Sequence, residues 1–169
     1  MIAVYLAHPL TADTREGIDW NRRNAAKWAA WLWKQGFVVE CSWITATGEL
    51  EETPENRELG LRSDCEQVRR CDVMVLCGPR ISGGMLREAG AAKVIVDFTY
   101  KGFDLPGDLS WRDGVPTTLE ELEKIVSLQG SGSHQSRMGS SRFVVDRRFV
   151  PKTEEDLDEN QEADFKEPS

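Results

Sequence analysis

DVMVLCGPRISGGMLREAG, residues 72–90, is the stretch on which the fold turns. Residues 72–77 are apolar after the first position, the pattern of a strand buried on both faces. GPRISGG breaks that run, and a helix is expected to start near Met85. The same alternation extends in both directions. Upstream, IAVYLA (2–7) reads as a buried strand, and Asp19 is placed to cap a helix that runs to about Gln35 and stops at Gly36. Trp20, Trp28, Trp31 and Leu32 fall near one face of that helix, its core stripe; Trp33 lies off it, where a second subunit would meet it. FVVEC (37–41) is a second strand, followed by a long polar loop through ELEETPENRE and a helix over Leu59 to Arg70. Downstream, KVIVDF (93–98) is a fourth strand, and TTLEELEKIV is a last helix capped by Thr117 or Thr118. Strands alternating with helices across short connections predict an α/β fold, a flavodoxin- or Rossmann-like three-layer sandwich with a four- to five-stranded parallel sheet.

The chain has 169 residues, 30% of them charged, and a formal net charge of −8. That length suits one domain with one core. Thr153 to Ser169 carries eight acidic residues and one lysine, so −7 of the charge lies in a tail and residues 1–152 hold −1. The acidity argues against a general grip on nucleic acid, which needs a basic face. Beyond residue 128 the character changes: GSGSHQSRMGSS is low in complexity, RFVVDRRFV is basic and apolar, and the end is acidic. The expected division is a domain over 1–128 and a flexible, disordered tail over 129–169. Cys41, Cys65, Cys71 and Cys77 show no CxxC spacing, so no zinc or redox motif is signalled, and no metal or cofactor is expected. No apolar run approaches the ~20 residues that span a bilayer. A cytoplasmic protein with no membrane partner follows as the expectation.

Ligands of open parallel sheets bind at the carboxyl ends of the strands. The loops there contain His8-Pro9, Ser42-Trp43 and Ser82-Gly83-Gly84. Glycines let a backbone come close to a ligand, and amides at a helix start attract phosphate. Glu88 lies six residues past Ser82, on the helix that this loop opens; such a residue either serves the site or faces solvent. Trp43 either stacks on a base or packs under the 45–58 loop. Arg15, Arg22 and Arg23 are candidates for a compensating positive charge.

Three fragments together resemble the nucleoside 2-deoxyribosyltransferase superfamily, and most closely its 2'-deoxynucleoside 5'-phosphate N-hydrolase branch. VYLAHP (4–9) is similar to the family's first strand, the Asp64 to Asp72 spacing to its helix aspartate and the aspartate opening the third strand, and Ser82-x5-Glu88-x-Gly90 to its nucleophile loop. The resemblance covers roughly residues 1–100. It implies that Glu88 attacks the anomeric carbon of a nucleotide sugar, that Asp64 orients the system or protonates the departing base, and that Tyr5 positions Glu88. Two carboxylates beside one sugar are expected to have separated pKa values. Ser82, with Gly83 and Gly84, implies a 5'-phosphate where the transferases have an aspartate for a free hydroxyl. His8 replaces the family's glycine and becomes a pocket wall or surface residue. The hydrolase branch also takes a serine from a neighbouring subunit, for which Ser110 and Ser141 are candidates, and the resemblance implies a homodimer or higher homo-oligomer. The substrate would be a small nucleotide, cleaved by hydrolysis. Base exchange, or nucleotide binding without turnover, are the alternatives, and a third makes the tail a partner-docking segment.

Overall fold

The computed structural model describes residues 1–99 and 105–130; the side chains of residues 129–130 are not described. The tail assigned to residues 129–169, Ser141 within it, thus falls almost wholly outside the described residues.

Strand β1 (Ala3–Ala7) and strand β3 (Val73–Leu76) are the apolar runs with least exposed surface, and they lie side by side in the middle of a five-stranded sheet. Strand β2 (Val38–Glu40) borders β1, and β4 (Ile95–Asp97) borders β3. The order is β2-β1-β3-β4-β5, the first four strands parallel. Strand β5 (Val115–Pro116) runs antiparallel to β4, a correction to the wholly parallel sheet expected. The reason is connectivity: among the described residues the link between β4 and β5 holds one 3-10 turn, Trp111–Asp113, and no α-helix to carry the chain back across the sheet, so it returns in the opposite sense.

Helix α1 (Arg15–Lys34) starts at Thr14, whose hydroxyl accepts from the Gly17 amide at 3.1 Å, not at Asp19. Gly36, with φ 86°, ends it. Trp28 and Leu32 are fully buried, but Trp20 is 45% exposed and leaves the expected core stripe. A 20-residue helix is about 30 Å long and overshoots a five-residue strand of about 17 Å, so its first turns have no sheet to cover them. Trp33 is exposed, as its position off the stripe predicts. Trp28, Trp31, Phe98, Trp111 and Phe37 form a chain of ring contacts at 4.4–5.9 Å between centroids.

The expected 45–58 loop is mostly helical. Helix α2 (Trp43–Glu49) and the first turns of α3 (Pro54–Arg70) occupy it. Thr53 caps α3 by accepting from the Asn56 amide at 3.2 Å, and Pro54 takes the first helical position, where a missing N–H costs nothing. Helix α4 (Gly83–Ala89) starts two residues before the expected Met85, and α5 (Leu119–Gly130) is capped by Thr118, which exchanges hydrogen bonds with Glu121. Helix α3 packs on α4 and β1, and α4 on α5. Among the described residues no helix is long and apolar enough to cross a membrane.

Candidate active site

Helix α1 leaves β1 towards β2, whereas α4 leaves β3 towards β4, on the other side. Between them, beyond paired Ala7 and Leu76, the carboxyl ends of β1 and β3 border a crevice. A cavity of about 290 Å³ opens there, walled by the loop after β1, by α2, by the first three turns of α3 and by α4.

Two carboxyl groups lie at its floor. Glu88, on the second turn of α4, is 7% exposed, and Asp64, on the third turn of α3, is 8% exposed. Tyr5, fully buried on β1, donates its hydroxyl proton to Glu88 Oε1 at 3.2 Å. Burial pushes the Glu88 carboxyl up to about 8, and the charge of Asp64 adds to the rise. Burial likewise pushes Asp64 up to about 6. The Tyr5 hydroxyl opposes both rises by hydrogen bonding. Its own proton is held far more tightly than that of an ordinary phenol, first because it is buried and then because both carboxylates repel a phenolate. A carboxyl pair in this setting holds a single proton around neutral pH.

The other expected residues divide. Ser82, Gly84, Trp43 and His8 line the same cavity as Glu88 and Asp64; Gly83 does not. The Ser82 hydroxyl accepts from the Met85 amide at 3.3 Å as the cap of α4, which leaves its own proton for another acceptor. The Trp43 indole N–H donates to the Leu6 carbonyl at 3.0 Å, so the ring is fixed to β1 while one part of it faces the cavity. Both readings of Trp43, packing and contact with a ligand, fit that position. His8 is buried, with Nδ1 2.8 Å from the Pro9 carbonyl. A carbonyl only accepts, so the proton is on Nδ1. His8 is thus a wall and not a surface group.

The arginines singled out in α1 do not line the cavity. Arg22 pairs with Asp19 at 3.1 Å, and Arg23 donates to the Asp19 carbonyl. Ser110 opens a 3-10 turn, its amide donating to Asp113, and does not line the cavity either. The cation that does is Arg57, in the first turn of α3, accompanied by Glu51, Glu52, Asn56 and Thr11. None of these was singled out from sequence. The Thr53-Pro54 pair, a cap followed by a proline suited to the first turn, was the signal that would have placed Arg57 on a helix beside the site. Asp72 lies at the other end of the sheet, its carboxylate accepting from the Ala3 amide at 2.9 Å, and clasps the starts of β1 and β3. Among the described residues no group of three or more His, Cys, Asp or Glu is arranged to hold a metal ion.

Residues 2–96 match the family model of a domain of unknown function, DUF7768, and the chain belongs to that family. The matched span contains Tyr5, Trp43, Asp64, Ser82 and Glu88. No curated protein matches the chain, and neither does any solved structure.

Proposed function

We propose that this member of the DUF7768 family hydrolyses the N-glycosidic bond of a (deoxy)nucleoside 5'-monophosphate, as its resemblance to the nucleoside 2-deoxyribosyltransferase superfamily suggests. The observation that carries the reading is that Glu88 and Asp64, from two helices, line one cavity at the β1/β3 crevice, with the buried Tyr5 of β1 behind them donating its hydroxyl to Glu88. In this reading ionised Glu88 attacks the anomeric carbon, the carbon–nitrogen bond breaks, and its electron pair leaves on the base. Asp64 supplies the proton that neutralises the base. Water then attacks the anomeric carbon of the sugar ester, losing a proton to Asp64 and freeing Glu88 and the sugar phosphate. Burial leaves the one proton of the resting pair on Glu88, about 8 against about 6 for Asp64, so the reactive form is the arrangement in which that proton has passed to Asp64. In that form the Tyr5 hydroxyl donates to the ionised nucleophile.

The finer fold assignment belongs to the same proposal. Right-handed crossovers would put α1 on one face of the sheet and α3 and α4 on the other, the three-layer flavodoxin-like arrangement. The mutual packing of α3 and α4 supports this. We take the enzyme to work in the cytoplasm as a homodimer, with exposed Trp33 available to a second subunit.

The test is incubation with a panel of nucleosides and nucleoside monophosphates, free base being measured by chromatography. Glu88→Gln should reduce base release at least ~10³-fold with the fold retained. Undiminished release in that variant removes the assignment. A second reading, base exchange on a neutral nucleoside, is favoured by the charges of the cavity: Glu51, Glu52, Asp64 and Glu88 line it against one guanidinium. It predicts that exchange exceeds hydrolysis when a second free base is present.

A further inference from the structure

The choice between an anionic and a neutral substrate rests on what Arg57 does. The cavity passes from two buried carboxyls at its floor to a half-exposed ion pair, Arg57 with Glu52, whose side chains are 44% and 49% exposed. Arg57 Nη1 holds the Glu52 carboxylate, and Nη2 donates to Thr11 Oγ1 at 3.1 Å. Thr11 is itself fixed from the loop after β3, where Arg80 donates to its carbonyl at 2.9 Å. The guanidinium therefore has one nitrogen anchored to the loop after β1 and one engaged with a carboxylate that also lines the cavity.

We propose that Arg57 is the phosphate-recognition residue of this cavity and that Glu52 occupies the place a substrate phosphate takes. The proposal rests on the nucleotide reading above and adds to it the residue that selects a 5'-phosphate. A planar guanidinium presents parallel donors that suit a phosphate as well as a carboxylate. An ion pair this exposed opens at little cost, because water solvates the released Glu52. A sugar phosphate carries up to two negative charges against one on Glu52, so it competes well for the same nitrogen. Thr11 keeps the guanidinium aimed while the exchange takes place. In this arrangement Glu52 is a built-in competitor: it neutralises Arg57 in this structure and biases the cavity against anions that bind weakly.

The base is unidentified, so the probes are ribose 5-phosphate and 2-deoxyribose 5-phosphate, with the corresponding free sugars as controls. Calorimetric titration of the full chain should give binding of at least one sugar phosphate that exceeds its free sugar at least ~10-fold. Arg57→Met should remove that preference, Arg57→Lys should restore part of it, and Glu52→Gln should tighten binding of the sugar phosphate ~3-fold or more. A bracing role for the pair would instead make Arg57→Met and Glu52→Gln err in the same direction. Equal binding by wild type and Arg57→Met, weaker binding by Glu52→Gln, or no sugar-phosphate binding by wild type overturns the proposal. Turnover is read separately with the nucleoside monophosphate panel. Arg57-dependent phosphate binding without base release keeps the present proposal and removes the catalytic one. Base release indifferent to Arg57 does the reverse.

Discussion

The hydroxyl of Tyr5 reaches Glu88 across 83 positions of sequence and joins the first strand to the helix after the third at 3.2 Å. Because Tyr5 is fully buried and β1 is held on both sides by neighbouring strands, the hydroxyl has little freedom to leave. The hydrogen bond favours the ionised carboxylates, as its lowering effect on both Glu88 and Asp64 shows.

Tyr5→Phe should therefore lower kcat by ~10–100-fold and move the whole pH profile of base release to higher pH. The direction follows from the loss of a group that lowers both carboxyls. The profile is measured by initial rates from pH 5 to 9.5; a reduced rate with an unmoved profile contradicts the role given to the hydroxyl.

The pH dependence of the wild type follows from the same pair. The reactive form holds one proton, which it gains or loses outside the interval set by Asp64, about 6, and Glu88, about 8. kcat/KM should trace a bell with limbs near those values, read from rates at low substrate concentration.

Stability should fall as pH rises, the reverse of a protein held by salt-bridged carboxylates. Below about pH 3 both groups are neutral in folded and unfolded chains alike, and neither carries a penalty. From 3.8 for Asp64 and 4.5 for Glu88 upward, the unfolded chain has lost protons that the folded chain keeps until about 6 and about 8. Glu88→Gln should thus exceed wild type by about 4 kcal/mol at pH 8 and match it at pH 3. Thermal melts across that range check it; a difference independent of pH contradicts the buried-carboxyl account.

Gly78 has φ +92°, and a Cβ there would come within 2.8–2.9 Å of the His8 ring and Pro9. Gly78→Ala should cost ~1–3 kcal/mol and disturb the cavity wall as well, because relief of the clash requires the His8-Pro9 loop to move. Denaturant unfolding together with sugar-phosphate titration would register both effects.

The central strands were legible because β1 and β3 are buried on both faces, which demands uninterrupted apolar residues such as Val73–Leu76. Glu88, Asp64 and Tyr5 were legible through the spacing of familiar fragments. The segment 45–58 was not, because α2 and the start of α3 expose most of their residues and so carry no apolar period; Leu59, chosen as the first periodic position, is itself 63% exposed. Arg57 was lost with that segment. Trp20 misled for a different reason: a helical face identifies neighbours within a helix but does not say where the sheet beneath it ends. The antiparallel β5 has two residues, too few for any periodic signal.

The brevity of that last strand has a consequence for association. The borders of the sheet are β2, three residues with Glu40 pointing a charge outward, and β5, two residues of which Pro116 has no N–H to offer. Neither border presents a run of free backbone groups long enough for a neighbouring chain to extend the sheet. At high concentration such a protein should resist growth into β-ribbons, and copies that meet would do so through helices.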